Sequence, residues 1–168
     1  VGYRGSSSGA LVQDPYFKKN ISGATKAGIK VGLYFFTQAV NEAEAVEEAS
    51  MAMSLASGYK VTYPIFIDTE SASNGRANGL SKSARTAVVK AFCQTVRNGG
   101  YKAGVYASKS WYANQLNASA LNGYCIWVAQ YNSSCTYSGK YDMWQYSSKG
   151  SVSGIKGNVD MNISYTGY

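Results

Sequence analysis

Histidine is absent from this chain, proline occurs twice, and aspartate and glutamate together number nine. Without an imidazole there is no Ser-His-Asp or Cys-His nucleophile, and the His-containing zinc sites are excluded as well. Proton chemistry near neutral pH therefore falls to carboxylates, Lys, Tyr or Cys. The three cysteines, Cys93, Cys125 and Cys135, form neither a C-x-x-C pair nor a four-ligand cage, so no metal and no cofactor are expected. No apolar run reaches the length of a transmembrane span, and membrane insertion is not expected. Long like-charge runs and the low hydrophobicity of a disordered chain are missing too.

What is present is a chain of 168 residues, 45% hydrophobic and 14% aromatic, which suits a single domain over residues 1–168 with a core of its own. Sixteen Lys and Arg give a net charge of +7, but they are scattered from Arg4 to Lys156 with no cluster beyond Lys18–Lys19. That scatter argues against nucleic-acid reading. A diffuse positive field attracts polyanions, including anionic polymers of a bacterial envelope, in a salt-dependent way; the same charge also serves solubility alone. Cys125 and Cys135 flank a turn-like segment that an exported chain could close with a disulfide. Cys93, among Val89, Phe92 and Val96, reads as a buried structural thiol.

Residues 14–28 open on Asp-Pro, carry Phe17, Ile21 and Ala24 at helical spacing and stop at Gly28, which predicts a helix. A β-branched and aromatic strand follows over 30–37. Residues 41–57 read as a helix capped by Asn41, with Glu42, Glu44, Glu47 and Glu48 on an exposed start near the positive dipole end. The pattern continues as strand 61–67, helix 81–98, strand 102–107 and a short helix 109–116. Strands 126–130, 141–146 and 159–163 close the chain without room for helices between them. Pro64 fits its strand only near the start or at an irregularity. Alternating strands and helices imply right-handed crossovers and a parallel sheet. The expected class is α/β, an irregular TIM-like β/α barrel.

The acids can be sorted one by one. Asp14 precedes Pro15 as a cap, Asp142 stands at a strand entry, and the four glutamates belong to the second helix. Asp68, Glu70 and Asp160 remain. Asp68 and Glu70 end a hydrophobic strand as Ile67-Asp-Thr-Glu, and residues two apart in a strand share a face roughly 6.6 Å apart. At the C-terminal end of a barrel strand that face is the mouth. Two such acids cannot both ionise freely in a cleft, so one keeps its proton at neutral pH. Glycosidic cleavage needs that arrangement, a proton for the leaving oxygen beside a carboxylate; capping of the following loop is the plain structural alternative. Fifteen tyrosines and three tryptophans, among them Tyr34, Tyr106, Tyr131, Trp144 and Tyr146 near strand ends, offer platforms for sugar rings.

The blocks DPYFKKNISGATKAGIKVGLYFF (14–36), YPIFIDTES (63–71), AFCQTVRNGGYKAGVYASKSWY (91–112), IWVAQYN (126–132), YDMWQYSS (141–148) and GNVDMNISY (157–165) occur in an order that resembles glycoside hydrolase family 25, the 1,4-β-N-acetylmuramidases. The resemblance implies cleavage of the β-1,4 bond between N-acetylmuramic acid and N-acetylglucosamine in bacterial peptidoglycan. It implies Glu70 as general acid/base, Asp68 as the acid that orients or stabilises the substrate N-acetyl group, and Asp160 as the acid on the last strand. It places Tyr34, Tyr106, Gln130 and Trp144 along the groove. A secreted or phage-released enzyme acting as a monomer, without nucleic acid, metal or cofactor, follows from the same likeness.

Family members open with a strand bearing an Asp in a G-x-D-x-S type motif and then a helix, and the sequence from Val1 has no such block. The expectation is an N-terminally incomplete barrel with an exposed seam beside residues 1–5, weakly stable or weakly active until the opening strand is supplied. Two rival readings stand beside the muramidase. A chitinase-like enzyme is disfavoured, because the positions seven and four before its acid, Asp in that motif, are Tyr63 and Phe66 here. A non-catalytic wall-glycan binding module that has lost turnover is the other. The Asn-x-Ser sites at Asn20, Asn117, Asn132 and Asn162 are read as chance occurrences.

Overall fold

The computed structural model describes all of residues 1–168. Its strands are β1 (Gly2–Arg4), β2 (Leu11–Gln13), β3 (Val31–Phe36), β4 (Val61–Asp68), β5 (Ala103–Ser108), β6 (Cys125–Ala129), β7 (Met143–Gly150) and β8 (Val159–Ser164). The helices are α1 (Phe17–Lys26), α2 (Glu42–Ala56), α3 (Lys82–Asn98) and α4 (Lys109–Gln115), with a 3-10 turn at Ala118–Leu121. All strands belong to one sheet in the order β2-β1-β3-β4-β5-β6-β7-β8. Neighbours from β1 through β7 run parallel, while β2 and β8 lie antiparallel at the edges. The edges do not pair with each other, so the barrel is not closed. No helix is long and apolar enough to cross a membrane.

Local chemistry explains the helix boundaries. Asn41 and Ser81 accept the backbone N–H of Glu44 and Ala84 at 2.9 and 3.1 Å, capping α2 and α3, and Ser108 does the same for α4 through Trp111. Beyond α1, Gly28 takes a φ of +74°, a conformation that favours glycine. Asp14 is not a helix cap: its Oδ1 accepts the Tyr16 N–H at 2.9 Å, and α1 begins later. Pro64 lies at a register shift, where Val31 pairs with Val61 but Leu33 with Ile65. A Cβ on Gly32 would stand 2.7 Å from Tyr63 there, so that irregularity needs the glycine.

One face of the sheet carries Leu33, Phe35, Ile65, Ile67, Val105, Ile126, Val128 and Trp144 into a core shared with α2 and α3. Four alanines of α2 and Val89, Phe92, Cys93 and Val96 of α3 are fully buried in it. Cys93 is the expected structural thiol, and burial pushes its pKa up. Cys125 and Cys135 are not joined; Cys125 Sγ instead accepts the Tyr168 hydroxyl at 3.0 Å.

Glu48 corrects the expected exposed start of α2. It is 0% exposed and receives Arg4 Nε at 2.8 Å. The same guanidinium donates to Glu47, to the Glu44 carbonyl and to the Gly9 carbonyl, and Arg76 grips the Glu44 carboxylate through both nitrogens. Periodicity within α2 cannot reveal this, because the cation comes from the three-residue strand β1.

Candidate active site

Strand β4 sets the site. Ile65 and Ile67 turn into the core, so Phe66 and Asp68 turn to the opposite, concave face. Parallel pairing aligns Asp68 with Phe36, Tyr106 with Asp68, and Trp127 with Tyr106, building a row of polar and aromatic side chains across that face. Gly104 leaves the space into which the Phe66 ring lies, since a Cβ there would stand 2.3 Å from the ring. The concave face ends in a cavity of about 240 Å³ lined by Tyr34, Asp68, Glu70, Tyr106, Trp127, Tyr131, Gln145 and Asp160. It opens onto a second hollow of about 420 Å³ that shares Tyr34 and Asp68 and adds Asp14, Pro15, Tyr3 and Phe36. No Lys or Arg lines either one.

The strand ends at Asp68, and Glu70 stands in the loop beyond it. Thr69 N–H still donates to the Tyr106 carbonyl at 3.0 Å, both acids line the one cavity, and each is close enough to bear on the other's titration. Asp68 is 6% exposed, its Oδ1 has no donor, and neither acid pairs with Lys or Arg. Burial first, and then the negative charge of Glu70, push the Asp68 carboxyl up to about 8. Burial also raises Glu70; the nearness of Asp68 opposes that rise and the charge of Asp160 on β8 adds to it. The pair holds a proton at neutral pH, and that proton belongs to both acids. No three His, Cys, Asp or Glu side chains converge in a way that could hold a metal ion.

Gln145 organises the aromatic wall. It is 3% exposed, and its Oε1 accepts the hydroxyls of both Tyr106 and Tyr131 at 2.8 Å. Trp127 packs edge-on against Phe66 and Tyr106 with centroids 5.1 and 4.7 Å away, and its Nε1 donates to Asn162 Oδ1 at 2.9 Å. Burial raises the Tyr106 phenol, helped by the charges of Glu70 and Asp68, so it remains a neutral donor. Tyr34, 52% exposed, joins the two hollows.

Of the residues singled out in the sequence, Asp68, Glu70, Asp160, Tyr34, Tyr106 and Tyr131 meet at this cavity. Trp144 and Gln130 do not line it. Trp144 faces the helix side, 7% exposed, with Nε1 donating to the Gln130 carbonyl at 2.8 Å. The Gln130 side chain is spent on Thr136, bonding both its N–H and its hydroxyl at 2.8 Å, which folds the loop that carries Tyr131. Trp127 and Gln145 were missed. The alternation in β6 and β7 carries the signal: with Val128 and Trp144 facing the core, Trp127 and Gln145 must face the concave side.

Solved structures share this fold. The modular autolysin LytC of Streptococcus pneumoniae superposes with a TM-score of 0.80 at 27% identity, over 95% of this chain and 38% of that one. A second LytC structure, at 26% identity and the same TM-score, is a complex with a synthetic peptidoglycan ligand. A family 25 glycosyl hydrolase from Bacillus anthracis gives a TM-score of 0.80 at 26% identity, over 98% of this chain and 76% of that one. The autolytic lysozyme of Clostridium acetobutylicum is 28% identical over 163 residues, 96% of this chain and 48% of that protein. The chain spans about half the length of the curated relatives it matches. The model of glycosyl hydrolases family 25 matches residues 3–155, from β1 to the turn ahead of β8, and the chain belongs to that family.

Proposed function

We propose that residues 1–168 form a single catalytic domain that hydrolyses the β-1,4 bond between N-acetylmuramic acid and N-acetylglucosamine in bacterial peptidoglycan, with Glu70 as general acid/base. The observation that carries this reading is the meeting of Asp68, Glu70 and Asp160 in one sugar-sized, aromatic-walled cavity without Lys or Arg, where burial and the charge of Glu70 raise the Asp68 carboxyl. Membership of the family and the LytC complex with a peptidoglycan ligand support the substrate class. All the groups involved come from one chain, so a monomer suffices. The enzyme meets its polymer outside the cell or after lysis.

Two carboxyls only two residues apart at one strand end, lining the same cavity, do not make the opposed pair with water between them that an inverting enzyme requires. Asp68 and Glu70 therefore work from one side. Glu70, exposed and free of basic partners, gives the pair's proton to the glycosidic oxygen. The C1–O bond breaks with its electron pair on that oxygen, and Asp68 and Asp160 supply negative charge beside the positive C1. Water then adds its hydroxyl to C1 and returns its proton to Glu70. Tyr34, Tyr106, Tyr131 and Trp127 hold sugar rings by their faces, in the site where Gln145 fixes two of the phenols.

Clearing of a bacterial cell-wall suspension by the purified protein, with Glu70→Gln as control, tests the proposal. Loss of a general acid costs about 10²–10⁴-fold, and the variant should clear at that reduced rate. Wall binding by the unaltered protein with no clearing at all would overturn the reading in favour of a binding module.

A further inference from the structure

The opposite end of the sheet has the reverse charge. Every parallel strand begins there, and a hollow of about 340 Å³ is lined by Arg97 from the last turn of α3, Lys102 just ahead of β5, and Lys140 and Asp142 just ahead of β7. Tyr101, Tyr124 and Tyr168 are among its walls. Three cations thus face one acid, and Asp142 already serves the Ile126 N–H at 2.9 Å and Lys140 at 3.5 Å.

Aromatic faces hold the other two cations, and no carboxylate does. The Arg97 guanidinium lies 4.6 Å over the Tyr124 ring and donates to the Gly123 carbonyl. Lys102 Nζ lies 4.6 Å over the Tyr168 ring. Neither has an anionic partner anywhere in the chain. A ring face orients a cation and leaves its charge uncompensated. Arg97 by itself is accounted for by the negative C-terminal end of α3, but Lys102 and Lys140 lie outside any helix. Lys26, Lys30 and Lys60, at the close of α1 and just before β3 and β4, belong to the same end of the fold. Charge is therefore segregated, with acids in the groove and uncompensated cations at the base.

We propose that this basal hollow is an anion site that takes the phosphodiester groups of a polyol-phosphate polymer of the cell wall. A fixed guanidinium fork flanked by two ammonium groups matches phosphate oxygens better than isolated carboxylates. A repeating phosphodiester also reaches the neighbouring lysines one unit at a time. The choice of a wall polymer rests on the proposed muramidase reading; the phosphate site does not. Bound at its base, the protein turns its acidic groove away from the polyanion and toward the glycan.

Amide chemical-shift mapping with inorganic phosphate and with poly(glycerol phosphate) tests the assignment. Saturable shifts should centre on residues 97, 102, 123–125 and 140, and the polymer should bind more tightly than the free ion. Arg97→Gln/Lys102→Gln should weaken polymer binding at least tenfold. Lys149→Gln/Lys156→Gln, which removes the same charge outside the hollow, should change it less than twofold. Lys102 Nζ makes no ion pair and lies over the Tyr168 ring, so Lys102→Gln alone keeps the test open if the double variant misfolds; it should weaken binding at least threefold. Equal weakening by both double variants, shifts spread over all lysines, or poly-glutamate bound equally well at these residues would overturn the proposal. Walls stripped of phosphate polymer should be cleared by Arg97→Gln/Lys102→Gln at the unaltered rate. Failure of clearing by every form of the protein would count against the muramidase reading alone.

Discussion

Asp68→Asn should make the protein more stable, and increasingly so as pH rises. In an unfolded chain the Asp68 carboxyl titrates at its ordinary value of 3.8, and the fold pushes it up to about 8. Between those values the folded chain keeps a proton that the unfolded chain has released, so rising pH favours unfolding throughout that window. At about 1.4 kcal/mol per unit, the stability lost by pH 7 is about 4 kcal/mol. Asparagine keeps the volume, cannot ionise, and still offers an N–H to Glu70, so the penalty disappears with little new strain. For a chain of this size 1 kcal/mol is worth about 2–4 °C, which puts the gain near pH 7 at roughly 10 °C. Thermal melts of both proteins at pH 4, 5.5 and 7 measure it. They should nearly coincide at pH 4 and diverge upward. A gap that stays constant or narrows as pH rises would show that Asp68 is not held protonated by burial, and the reasoning about the acid pair would fail with it.

The same structure sets the expected result of other changes. Gln145→Leu strands the hydroxyls of Tyr106 and Tyr131; it should cost about 1–3 kcal/mol in chemical denaturation and raise KM for wall fragments, and an unchanged KM would separate those phenols from substrate. Arg4→Met leaves Glu48 as an unpaired buried carboxylate, so the denaturation midpoint should fall by the equivalent of about 3–5 kcal/mol; a shift under 1 kcal/mol would mean the pair is dispensable. Gly104→Ala drives a Cβ to 2.3 Å from the Phe66 ring and should cost about 1–3 kcal/mol, read as a lowered melting temperature with activity reduced through the displaced concave face.

Most helices and strands were legible because their signals are local. Asn41 and Ser81 each cap the helix that follows through a hydrogen bond three residues away, and the apolar spacing of α3 is complete within its own seventeen residues. β1 and β2 were not legible. Each is three residues long, too short to show a period, and each exists because the sheet edge provides a partner. The Asp68–Glu70 pair was visible as a spacing, and both acids line one cavity although β4 stops at Asp68 and Glu70 stands in the loop beyond it.

Residue order alone determined that proton chemistry here cannot use an imidazole, since histidine is absent, and that an Asp and a Glu close a strongly hydrophobic strand. Tertiary structure alone decided which of two adjacent side chains faces the groove, choosing Trp127 and Gln145 over Val128 and Trp144. It also decided that Glu48 is buried and that scattered cations gather at the base. For the sheet residues the physical reason is the phase of the strand. Side-chain alternation is a local property with two equivalent phases, and only the packing of helices on one face of the sheet, together with parallel register across several strands, selects between them.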